Sequence, residues 1–109
     1  MKRGDIVSVA AGSGFGSKPR PALVVQSDEF PHLTTVILAL FTSELRAAGM
    51  MRPLFAPDTA NGLHAPSDLM TDILIAVPRD RVGGIIGRLS TTDMARAETA
   101  LLTVLGFAR

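Results

Sequence analysis

The chain has 109 residues, of which 47% are hydrophobic, so we expect a single folded domain over residues 1–109. Its 11 basic and 10 acidic side chains give a net charge of +1, which excludes an overall basic field for nucleic acid and requires any RNA contact to come from a local cluster. The absence of cysteine excludes disulfides, thiolate catalysis and cysteine-based zinc sites. The sequence also has no signal-peptide core, and no apolar run approaches the roughly 18 residues of a membrane helix. We therefore expect a cytoplasmic protein.

The first half of the chain predicts three strands, separated by a loop and a turn. Residues 6–9 alternate as a short strand, and the glycine-rich segment 12–17 follows as a loop. Residues 22–26 form an apolar, β-branched strand, and residues 27–32, which are polar and interrupted by proline, form a turn. The run TTVILALF at 34–41 is the strongest strand signal, and we expect it at the centre of its sheet.

Less regular segments follow this central strand. Residues 42–49 begin like a capped helical turn and end at a glycine. Residues 52–56 contain a proline, which predicts a short strand at a sheet edge. Residues 57–66 are rich in turn-forming residues and contain Asn61-Gly62, a pair that favours hairpins.

Two more strand signals and a helix complete the pattern. Residues 69–77 predict an apolar strand, and residues 80–89, with three glycines, predict a twisted or bulged strand pair. Ser90 and Asp93 have the spacing of a capping box, which predicts the start of an amphipathic helix that ends near Gly106. Five to seven short strands, one short helix and one terminal helix predict a small barrel or an α+β domain.

The stretch KPRPALVVQS, residues 18–27, is the first candidate for function. Pro19 and Pro21 stiffen the backbone around Arg20, which follows the glycine-rich loop. A cation that extends from a rigid backbone at the start of a strand suits phosphate binding. Lys18 is a second candidate phosphate contact. The alternative is an ordinary loop with one solvated arginine.

Five landmarks follow one another in the chain: RGDIV at 3–7, RPALVVQS at 20–27, a long strand ending in Thr42, the pair Ser67-Asp68, and a closing helix begun by Leu89-Ser90. In this order they resemble the MazF/PemK family of toxin endoribonucleases over nearly the whole chain. The resemblance implies a mainly β, α+β fold, an SH3-like barrel of the CcdB/PemK type with a C-terminal helix. It also implies a homodimer, a partner antitoxin, and cleavage of single-stranded RNA with no metal or cofactor.

The resemblance implies catalytic roles for Arg20, in the Arg-Pro pair, and for Thr42, which ends the next long strand. Cleavage of RNA by its own 2′-hydroxyl needs a group that takes this proton, a group that protonates the leaving 5′-oxygen, and charge stabilisation at phosphorus. Arg20 offers a planar fork for phosphate oxygens, and Thr42 and Ser43 offer hydroxyls and N–H groups where a turn begins. Because arginine is a poor base, charge stabilisation is the role expected of Arg20.

The second proton transfer has three candidates. Some family members place a basic residue and an acid just after the aspartate of the later loop, whereas here Asp68 is followed by Thr71 and Asp72 in that region. Asp68, Asp72 and His64 therefore stay open as the second acid or base, and histidine is the best generic choice. Beside the catalytic pair, four residues are expected to bind the RNA: Lys18, Ser43, His64 and Asp68.

Two rival functions stay open at this point. The same superfamily includes CcdB, a DNA gyrase poison that cuts nothing, and its gyrase contact resembles a Trp-Gly-Ile ending of the last helix. This chain has Leu105-Gly106-Phe107 there, which keeps the glycine without the tryptophan. An inactive relative that only binds its partner is the third interpretation.

Overall fold

The computed structural model describes residues 1–10 and 18–108, and the predicted glycine-rich loop lies outside them. The strands and the helix of this part are β1 (Asp5–Val9), β2 (Arg20–Val24), β3 (Thr35–Thr42), β4 (Leu54–Phe55), β5 (Ser67–Pro78), β6 (Val82–Arg88) and α1 (Thr91–Val104). Two short 3-10 turns, Gly49–Met51 and Arg79–Arg81, precede β4 and β6. In the described ranges no helix has the length and apolar character that a membrane crossing needs.

Over residues 1–10 and 18–108, the strands form one antiparallel sheet in the order β4-β5-β3-β2-β1-β6. β3 lies inside the sheet, as its apolar run predicts, and pairs with β2 through Ala22↔Leu40 and with β5 through Ala39↔Leu74. β4 lies at one edge, as the proline in its segment predicts. This mainly β architecture with a C-terminal helix confirms the predicted fold class.

Register shifts mark where the sheet curls, and each face of the sheet carries one buried apolar cluster. The β3–β5 ladder shifts between Ala39 and Phe41, and the β1–β6 ladder shifts twice between Ile6 and Val9. One buried cluster lies on the helix side of the sheet: Ile6, Leu23, Ala39, Phe41, Phe55, Leu63, Leu69, Leu89 and Ala97. The other cluster lies on the opposite face of the sheet: Val7, Val9, Ala22, Val24, Val36, Leu38, Leu40 and Met70. Because neighbouring residues of one strand enter different clusters, β2 and β3 are continuous apolar runs.

Helix α1 has the ends that its sequence predicts. The Ser90 hydroxyl accepts a hydrogen bond from the Asp93 N–H at 3.1 Å, and this satisfies one of the free amides of the first turn. At the other end Gly106 has φ +84°, and the Phe107 N–H donates to the Leu102 carbonyl at 2.8 Å, as in a Schellman motif. The buried face carries Ala97, Ala100 and Leu101.

The helical turn predicted at residues 42–49 is wrong. Thr42 is the last residue of β3, and the helical turn begins at Gly49, where the prediction had it end. Side chains replace helical hydrogen bonds here, since the Thr42 hydroxyl accepts the Glu44 N–H and the Asp68 carboxylate accepts the Arg46 N–H. These bonds hold residues 43–48 in an irregular connection.

Two further predictions hold only in part. Residues 80–89 form one strand after a 3-10 turn instead of a strand pair, although the predicted bulges are present. Asn61-Gly62 does not make a two-residue hairpin, because β4 and β5 pair through Phe55↔Ser67 and are joined by residues 56–66. Asn61 is instead fully buried inside this connection.

The 56–66 connection packs directly on the backbone of β6. The Arg88 N–H donates to the Ala60 carbonyl at 2.9 Å, and a Cβ placed on Gly87 would lie 2.2 Å from the backbone of Asn61. A Cβ on Gly62 would lie 2.1 Å from the Ile86 carbonyl oxygen. Only glycine at both positions allows this approach.

We therefore expect Gly87→Ala to lower the free energy of unfolding by about 2 kcal/mol or more, because backbone atoms have to move to admit the methyl group. Gly84→Ala is the matched control in the same strand, since a Cβ there meets nothing within 4 Å, and it should change stability by less than about 1 kcal/mol. Urea unfolding of the three proteins measures both values. Equal stability of the two variants would contradict the close approach.

Candidate functional site

An open cavity of about 310 Å³ lies where β2 begins and β3 ends. It brings together parts of the chain that are far apart in sequence: Lys18, Pro19, Arg20, Pro21, Phe41, Ser43, Leu63, His64, Ala65 and Ser67. Four of the six predicted site residues are in this lining, and none of the described lining residues is acidic. The cavity therefore favours an anionic ligand.

The β2–β3 register explains why Arg20 is at this end of the sheet. Arg20 opens β2, where it pairs with Val9 of β1, and it is half-buried. Extending the Ala22↔Leu40 register by two residues places Arg20 opposite Thr42. The two predicted catalytic residues thus occupy facing positions at the ends of neighbouring strands.

Thr42 lies between two lining residues, Phe41 and Ser43, but is not itself in the lining. Its hydroxyl oxygen accepts the Glu44 N–H at 3.1 Å, while the hydroxyl proton can be donated elsewhere. Ser43 follows as an exposed residue at the start of the irregular connection. The end of β3 thus presents two neighbouring hydroxyl groups near the cationic end of β2.

The far wall of the cavity depends on the buried Asn61. Its Oδ1 accepts the N–H groups of Asp58 and Leu63, at 3.2 and 3.0 Å, and its Nδ2 donates to the Ala56 carbonyl at 2.9 Å. These bonds make the 56–66 connection a closed loop that presents His64 as an exposed residue of the lining. The Asn-Gly pair thus shapes a wall of the site.

Sequence analysis missed Ser67 and the apolar walls of this cavity. Ser67 lines the cavity and donates from its hydroxyl to the Ala65 carbonyl at 2.9 Å. The available signal was the alternation of side chains along a strand. Because Ser67 and Asp68 are neighbours in β5, their side chains point to opposite sides of the strand, so that only one of the two can face a given side. Phe41 and Leu63 gave no such signal, since both are ordinary core residues by composition.

The structure does not place Asp68 in the lining. Asp68 is 2% exposed and pairs in register with Thr42, and its carboxylate accepts the Arg46 N–H at 3.0 Å. It lines a separate hollow together with Arg52 and Leu54. Any contact between Asp68 and RNA stays a prediction.

Asp72 also lies outside the cavity, in a bidentate ion pair with Arg52. Asp72 Oδ1 and Oδ2 lie 3.0 Å from Arg52 Nε and Nη2. Hydrogen bonding to Arg52, opposed by partial desolvation, lowers the pKa of Asp72 below its usual value, and the same bond raises the pKa of Arg52. A carboxylate that is held charged in this way is a poor proton donor near neutral pH.

The curled sheet with one terminal helix thus carries a cationic, hydroxyl-bearing cavity at one end, which suits an anionic ligand such as a phosphate. The family model described as "PemK-like, MazF-like toxin of type II toxin-antitoxin system" matches residues 2–105. The chain belongs to this family.

Several relatives carry MazF names. A probable endoribonuclease MazF of Mycolicibacterium smegmatis is 41% identical over 108 residues, which cover 99% of each chain. Endoribonuclease MazF6 of Mycobacterium tuberculosis is 29% identical over 110 residues, with 96% of each chain covered. The comparisons do not favour the CcdB-like alternative.

Solved structures share the fold over the full length. A mycobacterial endoribonuclease in complex with its cognate antitoxin superposes with a TM-score of 0.83 at 20% identity, covering 100% of this chain and 98% of that one. The Mycobacterium tuberculosis toxin MazF-mt6 gives 0.80 at 24% identity, with 96% and 99% covered. A MazE–MazF structure from Deinococcus radiodurans gives 0.76 at 17% identity, with 99% and 97% covered.

The lowered pKa of Asp72 predicts how the Arg52 pair responds to pH. A carboxylate with a lowered folded-state pKa stabilises the protein above its unfolded-state pKa, and this contribution is lost as the pH falls through the folded-state pKa. We expect Asp72→Asn to cost about 1 kcal/mol at pH 7, and we expect the difference from the wild type to begin to shrink below about pH 4 and to disappear as the pH falls through the lower folded-state pKa.

Urea unfolding at pH 7, 5 and 3 measures this difference. Asp80→Asn removes an exposed carboxylate in the turn before β6 and should leave the stability at pH 7 unchanged. A penalty for Asp72→Asn that is the same at pH 7 and pH 3 would contradict the assignment.

Proposed function

We propose that this chain is the toxin of a type II toxin–antitoxin system and a sequence-selective endoribonuclease, formed by a single domain over residues 1–109. It cleaves single-stranded RNA in the cytoplasm and thereby inhibits translation and growth. The observation that carries this proposal is the cavity that gathers Lys18, Arg20, Ser43 and His64 in a family of such toxins.

The proposed reaction is an internal transesterification. The RNA 2′-oxygen attacks the adjacent phosphorus while its proton passes to a base, and the bond from phosphorus to the 5′-oxygen breaks as that oxygen takes up a proton. The products are a 2′,3′-cyclic phosphate and a 5′-hydroxyl. Charge accumulates on the non-bridging phosphate oxygens in the transition state, so donors aimed there accelerate the reaction.

Arg20 is the donor that we assign to this charge. Its guanidinium can donate two parallel hydrogen bonds to phosphate oxygens, and its position at the start of β2 fixes the backbone from which it extends. The permanent charge of arginine allows the reaction to proceed without a metal ion. Thr42, in the facing position of β3, donates its hydroxyl proton to the same phosphate.

The remaining lining residues have supporting roles. Lys18 binds a neighbouring phosphate as a point charge, and Ser43 donates a hydroxyl hydrogen bond. His64 is the proton-transfer group in this cavity, because an imidazole ring can both accept and donate a proton. Asp72 does not share that role, since its carboxylate is paired with Arg52.

Two partners complete the proposal. A cognate antitoxin covers the cationic cavity with an acidic segment that folds on binding, and two of the structural neighbours are complexes with an antitoxin. The second partner is another copy of this chain. An apolar groove of about 330 Å³ beside the end of α1 supports a homodimer, since Ile37, Leu102 and Leu105 line it with 41 to 51% exposure and Phe107 with 79%.

Cleavage of a long single-stranded RNA in EDTA tests the nuclease. We expect discrete fragments from the wild type and a loss of about a hundredfold or more in kcat/KM for Arg20→Ala, with Arg20→Lys intermediate because it keeps the charge and loses the fork. Thr42→Ala should lose about a hundredfold, and Thr42→Ser should retain most of the activity.

Arg81→Ala is the matched control for these variants, because Arg81 is an exposed arginine outside the cavity, and it should cut RNA like the wild type. A folded wild type that leaves varied RNAs intact would overturn the nuclease. Trapped DNA breaks with gyrase would then favour the poison.

The homodimer is tested by light scattering after size exclusion. Leu102→Glu places a charge in the apolar groove and should shift the protein toward the monomer, whereas Thr92→Glu, at the exposed start of the same helix, should not. A wild type that stays monomeric at high concentration would contradict this groove as a dimer surface.

A further inference from the structure

Asp68 is buried immediately beside the candidate site without lining it. Its neighbour Ser67 lines the cationic cavity, whereas Asp68 lines a hollow of about 350 Å³ with Ala47, Arg52 and others. Asp68 Oδ2 accepts the backbone N–H of Arg46 at 3.0 Å. Its carboxylate is therefore engaged with the chain segment that leaves β3.

That segment is tied to β5 at four successive places. After the Asp68–Arg46 bond come the Leu69 N–H to the Pro53 carbonyl at 3.0 Å, the Thr71 hydroxyl to the Met51 carbonyl, and the Arg52–Asp72 pair. Each tie joins a residue of 68–72 to a residue of 46–53. The Asp68 tie is the one closest in sequence to Ser43.

The same turn contains a residue in an unfavourable backbone conformation. Ala47 has φ +50°, a region that residues with a Cβ rarely adopt. Such a conformation persists only when neighbouring contacts enforce it. The Asp68 hydrogen bond to the adjacent Arg46 is a contact of this kind.

We propose that Asp68 is a positioning residue: by holding the Arg46 N–H it fixes the turn at residues 43–47 and so keeps Ser43 at the phosphate. This role rests on the proposed nuclease function. Asp68 takes no part in proton transfer, and His64 keeps the proton-transfer role assigned to it above.

The substitution Asp68→Asn separates positioning from acid–base chemistry. Asparagine keeps the shape and a carbonyl oxygen that accepts the Arg46 N–H, but it cannot give or take the proton. We expect Asp68→Asn to cut RNA within about threefold of the wild type, with an unchanged pH–rate profile. Asp68→Ala removes the acceptor and should lose about tenfold to a hundredfold in kcat/KM, because the reacting groups are misplaced.

A second substitution tests the link through the turn. Glycine adopts φ +50° without strain. Adding Ala47→Gly to the Asp68→Ala protein should therefore raise its kcat/KM at least about threefold over that of Asp68→Ala alone. Asp72→Asn is the control, because it breaks the Arg52–Asp72 pair, which joins the same segment to β5 at the place farthest from Ser43 in sequence. Its kcat/KM should stay within about twofold of the wild-type value. If Asp68→Asn is as inactive as Asp68→Ala and Ala47→Gly restores nothing, Asp68 is an acid or base and the proposal is overturned.

Hydrogen exchange of the Arg46 amide gives a readout that needs no RNA. The amide should be protected in the wild type and in Asp68→Asn, and it should exchange at least tenfold faster in Asp68→Ala. Equal protection in all three folded proteins overturns the proposal, whatever the cleavage assay gives. A wild type that does not cut RNA overturns the nuclease instead, and exchange at Arg46 then still decides whether Asp68 holds the turn.

Discussion

The uneven pairing of β3 with β5 is the constraint on which the rest of the structure depends. Between the pairs Ala39↔Leu74 and Phe41↔Leu69, β3 uses one residue where β5 uses four. The extra residues bend β5. Met70 therefore packs in the buried cluster that contains Val7 and Leu38, whereas Thr71 and Asp72 bind residues of the 46–53 segment. Beyond the bend, Ser67 lines the cationic cavity and Asp68 lines the separate hollow beside Arg52.

The end of β3 is the point at which this bend becomes a site. The bent part of β5 holds the irregular connection after Thr42 through hydrogen bonds, and the β2 register places Arg20 opposite Thr42. The 56–66 connection, fixed by Asn61 and by its close approach to β6, adds His64 from the other side. Three separate backbone constraints thus converge on one cationic cavity.

Charge in this protein is informative only locally. Among the described residues, five arginines outside the cavity lining form ion pairs with carboxylates: Arg3 with Glu98, Arg46 with Glu44, Arg52 with Asp72, Arg88 with Asp5 and Arg96 with Asp93. Arg79 donates instead to the carbonyls of Leu33 and Phe30. The net charge of +1 therefore says little about the cavity, whose described lining contains cationic residues and no acidic residue.

The sequence by itself determined most of the strands and the closing helix with its Ser90 cap and Gly106 end, because periodicity, capping and turn chemistry are local properties. Arg20 and Thr42 became catalytic candidates through the resemblance of this sequence to the MazF/PemK family. Only the tertiary structure decided that residues 43–48 are not helical and that Asp68, unlike its neighbour Ser67, does not line the cavity. Both outcomes depend on hydrogen bonds between residues about 20 positions apart and on a bulge in β5, and no local pattern encodes the partner of such a bond.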